Sequence, residues 1–154
     1  MGTVTYPDET VARFLEENFV AAKIDVTQED PKTREACARF NQVWTPTFVV
    51  LEPQGREAWR AVGYFPPNEF LGALLLAMGM ARMLNREYAE AHDLFREAAE
   101  NHPDTAAAPE ALYWQAVAAY RRDGKPDELL RIWRALKARH PESLWWTKAS
   151  FIDG

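Results

Sequence analysis

Few residues in this chain are of a type and spacing that could do covalent chemistry. Cys37 is the single cysteine, so one copy of the chain can form no internal disulfide and no cysteine-rich metal site. It falls in a helical pattern beside Ala36, with Arg34 and Arg39 as the charged neighbours at helical spacing, and reads as a structural thiol. His92, His102 and His140 are far apart, and the last two precede prolines at helix ends, where an imidazole suits the helix C-terminus rather than a metal. Glu16-Glu17 and Glu29-Asp30 are adjacent in sequence instead of sharing a helical face, which suits solvated surface better than acid–base work. No glycine-rich phosphate loop and no nucleophile–base constellation is present. Catalytic residues, metal ligands and a cofactor are therefore not expected. Tryptophan stands out instead. Trp133 fits a core slot, whereas Trp114, Trp145 and Trp146 are candidate protein-contact residues.

The composition narrows the function classes. The 154 residues are 47% hydrophobic and 27% charged, which is enough for a packed core and excludes disorder. A net charge of −5 with scattered Lys and Arg argues against nucleic-acid binding. No apolar run reaches the length of a membrane span, and MGTVTYPDET lacks the basic-plus-apolar character of a leader. The expected partner is a protein or peptide, and the expected location is the cytoplasm.

The elements that would position these residues follow from periodicity. Helices are predicted at 8–18, capped by Asp8, and at 31–42, capped by Asp30 with Pro31 in the first turn. Between them, Val20, Ala22, Ile24 and Val26 alternate with period two and predict a strand. Thr47–Leu51 is short, apolar and β-branched, which predicts a buried strand. A turn at Glu52-Pro53-Gln54-Gly55 returns it as Ala58–Val62, so 47–62 is a predicted β-hairpin. From Pro67 onward the period is helical, with helices predicted at 67–84, 87–101, 108–122, 126–139 and 143–152. The fold class is thus α/β followed by all-α. Asn101-His102-Pro103-Asp104-Thr105 and Arg139-His140-Pro141-Glu142-Ser143 are one phrase used twice, 38 positions apart (141 − 103). Such a period predicts stacked helical hairpins.

Two resemblances attach to these residues. Ala91, Phe95, Ala98 and Pro103, with Gly79 in the preceding helix, resemble a tetratricopeptide repeat. A second repeat keeps Tyr120, Trp133 and Pro141 but carries Val117 and Leu129 where the family has small residues. The phrase PDTAAAPEALYW is similar to the longer loop of bacterial periplasmic-type repeats. This match covers about 70–141, with 143–152 as a capping helix. Trp44-Thr45-Pro46-Thr47, the apolar strand and turn that follow, and Gly63 resemble the C-terminal part of the thioredoxin-like family, over about 4–78. That resemblance implies a cis bond before Pro46 and a substrate-docking loop at Trp44, Thr45 and Pro46. The family's first strand and its Cys-x-x-Cys have no counterpart here, and Met1 falls near where relatives carry the dithiol.

The implied organisation is a thioredoxin-like unit at 1–78 and helical repeats at 70–154, sharing the helix at 67–84. In the family the first strand lies between those placed here at 20–26 and 47–51. Its absence leaves two edges to be closed by direct pairing, by a second copy in a homodimer, or by residues upstream. The functional expectation is a non-catalytic protein-interaction module. The alternative is a thiol–disulfide oxidoreductase whose dithiol segment lies ahead of Met1.

Overall fold

The computed structural model describes residues 1–153. Helix α1 (Glu9–Asn18) begins where the Asp8 carboxylate accepts from the N–H groups of Thr10 and Val11, at 3.0 and 3.1 Å. Helix α2 (Pro31–Arg39) is started in the same way by Asp30, whose carboxylate accepts from Lys32 and Thr33. Each cap satisfies N–H groups that have no partner within the helix. Helix α2 stops at Arg39, three residues short of the predicted end, because Asn41 turns left-handed with φ of 47°.

Strands β1 (Thr47–Leu51) and β2 (Glu57–Val62) form an antiparallel hairpin, paired Thr47 with Val62 through Val50 with Trp59, with a register shift before Leu51. Its turn is organised by Glu52, whose carboxylate accepts from the Arg56 backbone N–H at 2.9 Å and from its guanidinium at 3.2 Å. Glu52 is hidden from water by the atoms of this turn rather than by the core. Arg56 accordingly pulls its carboxyl below the usual range, against a smaller upward push from desolvation. Gly55, at φ 86°, supplies the left-handed residue the turn requires.

Two expectations about the sheet are corrected. Residues 20–26 form no strand: they are coil, and Val20 and Ile24 are exposed. The sheet has two strands, so 20–26 does not pair directly with β1. An extended segment becomes a strand only when a neighbour completes its hydrogen bonds, and none lies beside it here. Nor is β1 buried. Thr47 through Val50 are half-buried and Leu51 is 37% exposed.

Helix α3 (Pro67–Leu84) packs on both strands, on α1 and on α4, and so joins the hairpin to the helical half. Near its start Phe70 and Leu74 close a small core with Val11, into which Phe48, Phe65 and Met1 are partly inserted. The rings of Phe48, Phe65 and Phe70 lie 4.9–5.9 Å apart. Thr5 is fully buried and donates to the Phe65 carbonyl at 2.6 Å, pinning the N-terminal turn to the chain ahead of α3.

The main core lies among α3, α4 (Tyr88–Asn101), α5 (Ala107–Asp123) and α6 (Pro126–Arg139), around Leu75, Phe95, Leu112, Trp133 and Leu136. Gly79 permits the closest approach, because a Cβ there would overlap the Phe95 ring. Gly124, at φ 69°, ends α5 in the left-handed conformation that allows α6 to turn back. The predicted last helix is α7 (Leu144–Ala149), capped by Ser143 and continued as a 3-10 turn at Ser150–Asp153. His102 and His140 occupy the C-cap positions of α4 and α6.

Candidate protein-contact surfaces

The Trp44-Thr45-Pro46 loop leads directly into β1. The Thr45–Pro46 bond is cis. The Thr47 hydroxyl donates to the Trp44 carbonyl at 2.5 Å, and the Pro46 carbonyl accepts from the Gly63 N–H at 2.9 Å. The loop is thus tied to both strands while Trp44 remains 69% exposed and Val43 79% exposed. That is a large apolar surface to leave in water.

The Gly63–Pro46 bond also fixes which backbone groups of β1 face outward. With 46 and 63 hydrogen-bonded, 48 with 61 and 50 with 59 follow in the register, and Thr47, Val49 and Leu51 point away from β2. Among the described residues, no strand pairs with that edge. Its apolar run and the exposed 20–26 segment are two unpaired β-forming stretches in the same half of the chain. Helix α2 lies beside the 20–26 segment, Thr33 and Ala36 lining an open pocket with Lys23, Ile24 and Asp25, but none of its residues is buried. Cys37, on α2, is half-buried.

The three candidate contact tryptophans divide into two groups. Trp114 and Trp145 approach to 6.3 Å between ring centroids, and Tyr113 lies against both at 5.4 and 5.2 Å. Trp146 sits apart, with the Lys137 ammonium 5.3 Å from its ring. All three are half-buried, so packing uses much of their surface. Lys148 lies 3.8 Å over Trp145. Burial raises the Glu110 carboxyl. The Trp114 indole N–H and the Lys148 charge oppose that rise, although the buried indole N–H is short of a formed hydrogen bond.

A polar cavity of about 170 Å3, not anticipated from the sequence, lies among α4, α5 and α6. Its residues come from three helices, so no local motif announces it. The signal available in the sequence was His92, Arg96 and Glu100, which recur at the helical spacing of one α4 face.

Comparison with known proteins agrees with this architecture. The thioredoxin-like domain family matches residues 3–77. The SPbeta prophage-derived thioredoxin-like protein YosR of Bacillus subtilis (strain 168) is 41% identical over 64 residues, covering 41% of this chain and 74% of that protein. The chain belongs to the thioredoxin-like family. The tetratricopeptide repeat family matches residues 110–143, the second hairpin, despite Val117 and Leu129. There Tyr113 stacks on Trp133 at 5.3 Å, and the Trp133 indole donates to the Tyr113 carbonyl at 3.3 Å. No solved structure matches the chain. Among the described residues, no helix is long and apolar enough to cross a membrane.

Proposed function

We propose that this thioredoxin-like, tetratricopeptide-repeat chain is a non-catalytic protein-interaction module. In this reading 1–78 is the thioredoxin-like unit, 70–154 is the repeat array, and α3 belongs to both. The supporting observation is the open β1 edge beside the exposed Val43-Trp44 surface, in a chain with one cysteine. Trp44, Thr45 and Pro46 form the docking loop, and Trp114, Trp145 and Trp146 a second contact area on the array.

The occupant proposed for the edge is a second copy of the chain. Each copy carries both complements: an edge needing a strand, and an unpaired 20–26 segment with alternating apolar residues. Reciprocal exchange closes a two-fold dimer. Nucleic acid has no part in this reading, and the proposed location is the cytoplasm. Light scattering at micromolar concentration should give the mass of a dimer, and Val20→Lys with Ile24→Lys should reduce it to a monomer. A wild-type monomer would refute the proposed dimer. With one thiol per copy, the chain should not accelerate insulin reduction by dithiothreitol, and turnover above the uncatalysed rate would refute the non-catalytic reading.

A second reading is a thiol–disulfide oxidoreductase whose dithiol is encoded ahead of Met1. The exposed docking loop next to an open strand edge favours it. The test is the frame immediately upstream: a Cys-x-x-Cys preceded by an apolar strand of about 5–6 residues supports the enzyme, and a stop codon refutes it.

A further inference from the structure

We propose that residues 19–45 form an arm that opens and closes without the rest of the chain, and that a protease of basic specificity severs the chain there first while leaving its pieces joined. The inference concerns the single chain and does not require the proposed dimer.

The arm is held by its own bonds. From residue 19 to residue 45 no residue is buried, whereas α3, α4, α5 and α6 pack on one another around the main core. No helix or strand packs extensively on α2. The Asp25 carboxylate accepts from Thr27 and Gln28, the Asp30 carboxylate from Lys32 and Thr33, and the Arg34 guanidinium donates to the Glu29 carbonyl. At the end of α2 the Phe40 and Gln42 N–H groups donate to the carbonyls of Ala36 and Cys37. Among the described residues, no hydrogen bond joins 20–43 to the rest of the chain. The open pocket beside α2 is likewise lined by arm residues alone, from Lys23 to Ala36.

Only the two ends are rooted. Phe19 leans on Phe14, with ring centroids 6.4 Å apart, and on the small core around Val11 and Phe70. Phe48, just beyond the arm, enters the same core. The chain therefore leaves from and returns to one place, and the arm can move without separating the parts it connects. The residues ahead of it stay attached on their own account, because Val11 and Thr5 are fully buried and Thr5 donates to the Phe65 carbonyl.

Length decides how firmly the arm keeps its shape. A helix shorter than about 12–15 residues is marginal in water without a packed face, and α2 has nine residues and no such face. Asp30 and Pro31 start the helix but do not anchor it. Segments with so few buried contacts open at a low free energy, well before the core. Lys23, Lys32, Arg34 and Arg39 are all exposed in this stretch, on backbone that can extend into a protease cleft. Hydrolysis there breaks one peptide C–N bond, with water supplying the hydroxyl of the new carboxyl group and the proton of the new amine. A cut after Lys23 divides the 20–26 segment, so in the reading of that segment as an exchanged strand the same cut removes the strand and spares the core.

The test is brief trypsin digestion of the full chain, with amide hydrogen exchange on the uncut chain. The first cut should fall after Lys23, Lys32, Arg34 or Arg39. The fragments should co-elute on gel filtration and separate only in denaturant. The α2 amides should be protected at least about a hundredfold less than those of α5. Ala36→Pro, which breaks α2, should leave the urea midpoint of global unfolding unchanged, whereas Ala116→Pro in the buried part of α5 should lower it. A first cut outside the arm, fragments that separate without denaturant, a smaller difference in protection, or a lowered midpoint in Ala36→Pro would each overturn the proposal. Digestion and exchange are read at nanomolar concentration, below the micromolar range in which the dimer is weighed, so the two results stand or fall separately.

Discussion

Replacing Gly79 by alanine should destabilise the protein, against the ordinary preference of helices. In an open helix, Gly→Ala stabilises by about 1 kcal/mol. Here the added methyl would fall on three atoms of the Phe95 ring, and Phe95 is fully buried between α3 and its neighbours. Overpacking of this kind costs about 1–3 kcal/mol, and with a ring that has no free space the upper half of that range applies. The net is a loss of about 1–2 kcal/mol, or about 2–8 °C in Tm for a chain of this size. Phe95→Leu removes the ring atoms that the methyl meets, so in that background Gly79→Ala should become stabilising by up to about 1 kcal/mol. Urea unfolding followed by circular dichroism, on the wild type, both single variants and the double variant, reads the coupling directly. A Gly79→Ala protein more stable than wild type, or the same shift in both backgrounds, would refute the assignment of this glycine to helix contact.

Thr5→Val should cost about 1–2 kcal/mol in urea unfolding, because it removes the hydroxyl that satisfies the Phe65 carbonyl while keeping the shape of the side chain. Stability should also decline as pH falls through 6.5. Burial holds His102 and His140 below that ordinary value, so the unfolded chain takes up protons first and the loss continues until the folded values are passed. Urea midpoints measured between about pH 8 and pH 5 should fall, and a variant with both histidines changed to glutamine should lose most of that slope. A wild-type midpoint that does not move would contradict the burial argument.

The helical half was legible because each element carries its own information. Pro67 and Pro126 mark the starts of α3 and α6, Leu84 and Arg139 end them where the apolar stripe ends, and the structure has the same bounds. The β-hairpin was legible for the same reason, since its turn is written in Glu52-Pro53-Gln54-Gly55; the part played by Arg56, which donates to Glu52, emerged only from the structure. Residues 20–26 show the limit. Their alternation states a capacity to pair, but a strand needs a neighbour, and no local pattern says whether one is present. The cavity escaped for a different reason. Gln115 belongs to no motif, and its meaning arises only when α4 and α6 bring His92 and Arg139 to it. The tryptophans were legible as a surplus, but which of their faces remain open depends on how α7 folds back on α5.

Helix α3 sets a consequence for any partner that engages both halves. Its 18 residues form one rod about 27 Å long; the hairpin reaches from Phe70 near its start to its C-cap Asn85, and α4 reaches from Phe95 against Gly79 to its C-cap His102 against Gly72. No flexible linker separates the strand edge from the array, so the distance between their two contact areas is set by helix geometry. A polypeptide long enough to reach both would gain avidity from the second contact without losing linker entropy. One that is a few residues too short would gain nothing. In the proposed interaction module, this helix would select partners by the spacing of their contact segments as well as by their chemistry.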